Sequence, residues 1–336
     1  MIEKETMLDQ MKISTRLIAE EALRRGFDVK YFPGGHTKTG VMVVTHDGIC
    51  HIVKSTVGGF TQGYGVFVAT NKYMMSQLLT EFNIPTPKTL LYTTEVEALD
   101  FLQTYKKLVV KPIDTNHGVG VTTGIITEVA LKTALDRANK AGKGRGILIQ
   151  EMCEGIDYRL LVVGDTVVAA AYREAAQVVG DGVHTIAELL VDENSSPLRG
   201  KGHSKPLSMI NTPVAEKYLH HQGKSLQDIP MKGEKMVLAG AANLSQGGSA
   251  VDVTDSVHSD IKAMAVRAAK IAGLGVCGVD VMSKDISLPS AQSLSYVIEL
   301  NESPGIRMHH FPSIGKSRDV ASAILDQVLQ TKGLEL

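Results

Sequence analysis

Apolar and polar residues follow two different periodicities along this chain, which indicates a mixture of helices and strands. Apolar residues recur every three to four positions in several segments that begin at a polar cap or end at glycine or proline, and these segments predict helices. They include residues 14–26, 69–87, 258–273 and, approximately, 128–140. Short apolar runs such as "KLVVKPI", "GILIQEM" and "GVCGVDVM" predict strands. Hairpin signals stand beside strand–helix alternation, so the pattern predicts an α+β protein.

Composition and charge narrow the classes of function. The 336 residues, of which 43% are hydrophobic, are enough for a large core and for two or three subdomains. The formal net charge is −1 and no long run of like charge occurs, so we expect neither nucleic-acid binding nor attachment to an anionic membrane. The N-terminus is charged and no apolar run approaches the ~18 residues of a membrane span. A cytoplasmic protein is the expectation, and three widely separated cysteines suggest neither a zinc ribbon nor a disulfide framework.

The stretch "VVKPIDTNHGVGVT" (109–122) places a lysine at the end of a strand and glycines directly after it. It contains neither G-x-x-x-x-G-K-[ST] nor G-x-G-x-x-G. A strand would hold Lys111 rigidly, and the glycines would let backbone N–H groups wrap an anion. The pattern therefore predicts phosphate binding, and the alternative is a glycine-rich turn beside an exposed lysine.

Carboxylates inside two apolar strands form a second candidate site. "GVDVM" contains Asp280, and "VIELNES" contains Glu299 and Asn301 on one face of a strand. A buried carboxylate is costly unless it is paired or binds a cation, and hard oxygen ligands suit Mg²⁺. These residues predict a magnesium site. The alternative is that both strands are half-exposed and the acids face water.

Two further polar features stay open on the residues alone. Asp157 and Arg159 lie two positions apart on a predicted strand and share one side of it, which fits either a ribose site or a surface ion pair. Arg307 follows the turn Ser303-Pro304-Gly305 directly after the acidic strand. It could clamp a carboxylate or stabilise an oxyanion, or form an ordinary surface pair.

These motifs, in this order, resemble the ATP-grasp superfamily. The similar segments run through "VVKPIDTNHGVGVTTGI", "GIDYRLLVVGDTVVAAAYR", "VVGDGVHTIAELL", "GVCGVDVM" and "IELNESPGIRMHHFP". The chain resembles in particular the ATP-grasp modules of cyanophycin synthetases and of bifunctional bacterial glutathione synthetases. The resemblance implies an α+β fold with ATP between two subdomains. The expected divisions are a short N-terminal α/β subdomain (1–68), a subdomain with the lysine strand and glycine-rich lid (69–150), and a subdomain with the ribose, metal and substrate residues (151–336).

The resemblance also assigns residues position by position. Those matching the nucleotide site are Lys72, Lys111, Asn116, His117, Gly118, Val119, Gly120, Gln150, Glu151, Cys153 and Asp157. Gln150 would lie at the adenine amino group, where many relatives carry Glu. Asp280, Glu299 and Asn301 match the ligands of two Mg²⁺ ions, for which Mn²⁺ could substitute. Arg159, Arg307 and His117 match residues near the reacting groups.

The implied activity is ATP-dependent ligation of a carboxylate to an amine through an acyl phosphate, with release of ADP and phosphate. Amino acids or small peptides would be the substrates, and related ligases form dimers or tetramers. The sequence contains neither the Mur-ligase-like module nor the γ-glutamylcysteine-forming module of the larger enzymes, so a stand-alone ligase is the leading interpretation. A nucleotide-binding module without catalysis and an ATP-grasp small-molecule kinase are the alternatives.

Overall fold

The structure is a computed structural model that describes residues 7–35, 40–115, 118–200, 207–239 and 247–335. The strands are β1 (Asp28–Pro33), β2 (Gly40–His46), β3 (Ile49–Val53), β4 (Thr89–Leu91), β5 (Leu108–Pro112), β6 (Thr122–Ile125), β7 (Ile147–Glu151), β8 (Ile156–Val163), β9 (Thr166–Glu174), β10 (Gln177–Val179), β11 (Arg199–Gly200), β12 (Leu207–Ser208), β13 (Lys235–Val237), β14 (Ser249–Asp252), β15 (Val276–Ser283), β16 (Tyr296–Asn301) and β17 (Leu334–Glu335). The helices are α1 (Ile13–Arg24), α2 (Gly63–Thr70), α3 (Lys72–Glu81), α4 (Glu95–Tyr105), α5 (Glu128–Ala141), α6 (Ile186–Ser195), α7 (Thr212–His221), α8 (Ser259–Ile271), α9 (Arg307–His310) and α10 (Val320–Leu329).

The chain folds into two compact units. The first comprises the described parts of 1–59, 168–255 and 305–336, and the second comprises those of 60–167 and 256–304. In the first unit, an antiparallel sheet has the strand order β1–β2–β3–β17. Helices α1 and α10 pack together, and Arg25 after α1 binds Asp326 (2.5 Å) and Ser322 (2.7 Å) on α10.

The first unit also contains a helical module with its own hydrophobic core. Strands β10 and β13 pair at its base, with Gln177 opposite Val237 and Val179 opposite Lys235. Helix α6 begins with a capping box, in which Thr185 and Glu188 satisfy each other's backbone N–H groups. The core of the module consists of Ala176, Val178, Ile186, Leu190, Ile210, Ala215, Leu219, Leu226, Met236, Leu238 and Ala239.

In the second unit, an antiparallel sheet has the order β4–β7–β5–β6, and helices α4 and α5 pack on one of its faces. Leu108 and Val110 of β5, with Ile147 and Ile149 of β7, enter a core shared with α4 and α5. Because successive side chains alternate between faces, Lys111 of β5 lies on the opposite face. The same face carries the neighbouring positions Val109, Leu148 and Gln150.

Strands β8, β15 and β16 form the other sheet region of the second unit, and α8 packs against β8 and β15. The pairing is antiparallel throughout, with Arg159 opposite Asp280 and Asp280 opposite Glu299. One transverse row of the sheet therefore carries all three charged residues.

The predicted α+β class is confirmed, and most predicted elements occur within a few residues of their expected ends. The exception is the single helix predicted over 69–87. Asn71 has extended backbone angles there and separates α2 from α3, because its side chain accepts a hydrogen bond from the N–H of Met74 and caps α3 instead. Within the described residues no helix has the length and apolar character needed to cross a bilayer.

Candidate active site

Lys111 is the lysine that the phosphate hypothesis depends on, and its side chain is half-buried. It lies at the end of β5, opposite Leu148 of β7, on the face turned away from the core shared with α4 and α5. Burial is the main reason that the pKa of Lys111 is lowered to about 8; the charge of Glu299 opposes this shift and the charge of Lys72 adds to it. The alternative of a solvent-exposed lysine is therefore wrong. A desolvated ammonium group of this kind gains most from a multivalent anion.

The loop after β5 is held at its root. Oδ2 of Asp114 accepts hydrogen bonds from the backbone N–H groups of Lys143 (2.9 Å) and Arg145 (3.4 Å). The hydroxyl of Thr115 donates to the carbonyl oxygen of Val119 at 2.8 Å. Gly120 has φ +76°, and a Cβ there would lie 2.6 Å from Cβ of Ala141, so only glycine fits. Asn116 and His117 fall outside the described residues, and their predicted roles stay predictions.

Lys72 begins α3 and reaches two other parts of the second unit. Its Nζ donates to the carbonyl oxygen of Thr115 at 2.6 Å and lies 3.9 Å from Oε1 of Glu299. The Asn71 cap fixes the first turn of α3 and so fixes where this side chain starts. Lys72 thus stands between the root of the glycine loop and the acidic strand β16.

The end of β7 presents three of the predicted nucleotide residues. Gln150 is 5% exposed, and its Nε2 donates to the hydroxyl of Thr89 at 2.7 Å. The carboxylate of Glu151 is already hydrogen-bonded within the protein, because it accepts from the backbone N–H of Lys88 at 2.9 Å. Burial and the nearby Glu151 raise the pKa of Cys153 to about 12, so its thiol stays protonated.

Arg159, Asp280 and Glu299 form the charged row across β8, β15 and β16. Asp280 is 4% exposed, which excludes the alternative of an acid that faces water. Nε and Nη2 of Arg159 donate to the two carboxylate oxygens of Asp280, the latter at 2.9 Å. Burial opposes the charge of Arg159, but Asp280 outweighs it and raises the pKa of the guanidinium. The surface Asp157–Arg159 pair is not the arrangement found, because Arg159 is paired across the sheet.

Gly278 makes room for Arg159. A Cβ at position 278 would lie 3.1 Å from Cδ and 3.2 Å from Nη1 of Arg159, and 2.9 Å from Cβ of Pro304. The arginine side chain therefore lies across the backbone of β15. Asn301 is the residue opposite Gly278, and its Nδ2 donates to the Gly278 carbonyl oxygen at 3.2 Å.

Asp157 and Arg307 complete the predicted set. Asp157 is half-buried on β8 opposite Met282, two residues before Arg159. Arg307 belongs to the first unit, where it begins the short helix α9. It is 6% exposed, so the alternative of a surface arginine is wrong. The chain after α9 is fixed by Arg318, whose Nη2 donates to Oδ2 of Asp252 at 2.6 Å.

Two carboxylates and one amide make up the candidate cation site. The described residues contain no group of three His, Cys, Asp or Glu side chains arranged as metal ligands. Mg²⁺ does not require such a group, because it is commonly held by one or two carboxylates together with substrate phosphates. Asp280 and Glu299, opposite each other on adjacent strands, fit that mode of binding.

Sequence reasoning missed two residues that shape this site. Gly278 had a signal, since a glycine inside an apolar strand often marks the close approach of another group. Thr89 had none, because only the pairing of β4 with β7 brings it to Gln150.

Comparison with known proteins decides the family. The model of the RimK-like ATP-grasp domain matches residues 69–181 and 240–328, which is more than half of the chain. This chain is a RimK-like ATP-grasp protein. The family implies ATP and Mg²⁺ in general terms, and the ATP-grasp segments contain the lysine strand, the Arg159–Asp280 pair and β16. Residues 182–239, which include α6 and α7, lie between the matched segments.

Similar proteins are longer than this ATP-grasp chain. A cyanophycin synthetase of Crocosphaera subtropica is 38% identical over 280 residues, covering 82% of this chain and 32% of the relative. The glutathione biosynthesis bifunctional protein GshAB of Clostridium perfringens is 32% identical over 323 residues, covering 95% and 41%. The crystal structure of a bifunctional glutathione synthetase from Pasteurella multocida aligns with a TM-score of 0.77 at 28% identity, covering 96% and 44%. The chain thus spans a third to somewhat under half of the length of these relatives.

Proposed function

We propose that this ATP-grasp chain is an ATP-dependent carboxylate–amine ligase. The carboxylate oxygen of one substrate attacks the γ-phosphorus of ATP, the bond to the bridging oxygen breaks, and ADP leaves. The amine of the second substrate then attacks the acyl phosphate, loses a proton and displaces inorganic phosphate. The observation that carries the proposal is the pair of lysines, Lys72 and Lys111, in the same unit as the acidic pair Asp280 and Glu299.

The charges support phosphoryl transfer because they are complementary to a metal-bound triphosphate. Lys111 is desolvated and offers a fixed positive charge to phosphate oxygens. Lys72 adds a second charge beside Glu299. Asp280, Glu299 and Asn301 are proposed to hold Mg²⁺, two ions by analogy with the superfamily, which when bound would neutralise phosphate charge.

Arg159 is proposed to serve the reacting carboxyl carbon. A guanidinium group stabilises the oxyanion that develops during amine attack. Arg159 is already oriented by both oxygens of Asp280, and Asp157 two residues earlier is proposed to hold the ribose. Arg307, buried in the first unit, is proposed to bind a substrate carboxylate.

Amino acids or small peptides are the proposed substrates. The support is that relatives are named for the synthesis of cyanophycin and of glutathione. A dimer or tetramer and a cytoplasmic location stay predictions.

Product analysis tests the proposal. The protein is incubated with ATP, Mg²⁺ and a pool of amino acids and dipeptides, and products are identified by mass spectrometry while ADP and phosphate are assayed. An amide with stoichiometric ADP and phosphate is the expected result. A stable phosphorylated product would indicate a kinase instead, and tight ATP binding without any turnover would indicate a binding module.

Glu299→Gln is the sharpest variant for this assay. Glu299 is half-exposed and a glutamine there keeps its shape and one acceptor oxygen, whereas loss of the Asp280 carboxylate would leave the buried Arg159 without its partner. Turnover should fall by about 100-fold or more, as expected when a transition-state charge interaction is lost. Asp285→Asn, a change at an exposed acid whose carboxylate accepts hydrogen bonds from Ser287, is the matched control and should retain activity. Full activity of Glu299→Gln would refute the magnesium assignment.

A further inference from the structure

Two hydrogen bonds connect Gln150 to the backbone of a neighbouring strand segment. Gln150 on β7 is directly opposite Thr89 on β4. Nε2 of Gln150 lies 2.7 Å from Oγ1 of Thr89, and that Oγ1 lies 2.9 Å from the carbonyl oxygen of Pro87. Gln150 is 5% exposed, so these contacts are shielded from competing water.

Counting protons fixes the orientation of the Gln150 amide. A threonine hydroxyl has one proton, and a carbonyl oxygen can only accept. The proton of Thr89 is therefore committed to Pro87, and Thr89 can only accept from Gln150. This contact requires the NH₂ group of Gln150 to face Thr89. The amide oxygen Oε1 then points away from Thr89 and is available as an acceptor. Rotating the amide would set two acceptors against each other unless the Pro87 carbonyl lost its donor.

We propose that Thr89 makes the site selective for adenine over guanine nucleotides by holding Oε1 of Gln150 as the group that meets the base. This inference rests on the proposed function, which puts the nucleotide on the face of the sheet that carries Lys111 and Gln150. Adenine has an amino group at the position where guanine has a carbonyl oxygen. A fixed acceptor oxygen forms a hydrogen bond with the adenine amino group. It gives the guanine carbonyl oxygen no donor, and this lowers the affinity for guanine nucleotides.

The orienting role exists because the residue is glutamine. A glutamate carboxylate presents an acceptor oxygen whichever way it is turned, so it needs no such partner. A glutamine that is free to rotate could present its NH₂ group to guanine. Thr89 is therefore a positioning residue, and its effect should disappear when position 150 is glutamate.

The test compares ADP with GDP, which avoids turnover. Isothermal titration in the presence of Mg²⁺ gives the ratio of the GDP and ADP dissociation constants. In Thr89→Val we expect this ratio to fall about fivefold, the value of one neutral hydrogen bond. Thr89→Ser retains the hydroxyl and should retain the ratio. The ratio of Gln150→Glu should not change when Thr89→Val is added to it.

Each outcome has a separate meaning. An unchanged ratio in Thr89→Val, with ADP still bound, refutes the orienting role and leaves the ligase proposal intact. An equal fall in the Gln150→Glu background also refutes it, because packing rather than amide orientation would then be responsible. If the unaltered protein binds neither nucleotide, the proposed function falls and this inference with it. Thermal unfolding verifies each variant, and Thr89→Ala replaces Thr89→Val if the latter does not fold.

Discussion

Nucleotide affinity should depend on pH through Lys111. Burial lowers the pKa of this lysine to about 8, so it loses its proton in a range where an ordinary lysine stays charged. Only the protonated side chain attracts phosphate oxygens. The sign follows directly, because a rise in pH through the pKa of the nucleotide-free site removes the positive charge and weakens binding.

The size of the effect can be worked from that pKa. About 90% of Lys111 side chains are protonated at about pH 7 and about 10% at about pH 9, so the dissociation constant of ADP should rise about tenfold. Binding at the higher pH should take up close to one proton per nucleotide, because the phosphates restore the charge of the lysine. Lys72→Met should move this change to higher pH, since Lys72 lowers the pKa of Lys111.

Isothermal titration of Mg²⁺–ADP in two buffers of different ionisation enthalpy measures both quantities. Lys111→Arg is the control, because a guanidinium group stays protonated across this pH range. Any pH dependence that remains in this variant comes from titration of the nucleotide and can be subtracted. The variant should show little pH dependence. The same pH dependence in Lys111→Arg and in the unaltered protein would refute the reasoning, and so would the absence of proton uptake at the higher pH.

Three further predictions follow from the described contacts. Gly278→Ala should lower kcat by about tenfold or more, because the new Cβ displaces Arg159; unchanged steady-state kinetics would contradict this. Stability in urea should decrease as pH falls below about 6.5, because Nε2 of His310 accepts from the N–H of Ala321 (3.1 Å) and burial lowers its pKa, so that the unfolded chain takes up the proton first. A His310→Gln variant should show a smaller pH slope, and an equal slope would exclude His310. Arg307→Ala should raise the KM of a carboxylate substrate about tenfold with little change in ADP affinity, and equal losses in both would remove its assigned role.

The sequence was sufficient for the parts of the site that depend on local pattern. Lys111 could be placed on a strand because an apolar run precedes it and glycines follow. Asp280 was informative because a carboxylate inside an apolar strand needs a partner, and it is indeed buried. The helix predicted over 69–87 was wrong at Asn71, where a side-chain cap overrides the continuous apolar pattern.

The other contacts of the site depend on the pairing of strands that are distant in sequence. Local sequence patterns could not predict this pairing. The register that places Asp280 opposite both Arg159 and Glu299 arises between strands more than a hundred residues apart in one case. The sequence suggested that Arg159 shares a side with Asp157, which β8 preserves, but not that both oxygens of Asp280 would bind it. The contact of Thr89 with Gln150 likewise follows from the pairing of β4 and β7.

The module closed by β10 and β13 has a consequence for how such chains diversify. The polypeptide leaves at Val179 and returns at Lys235, two residues that face each other across a ladder. The segment between them starts and finishes at one place, and the buried core residues described for it all lie within 176–239. Residues between Val179 and Lys235 can therefore be replaced by another segment with the same distance between its ends. The strands that carry Lys111 and Asp280 would keep their sequence and register.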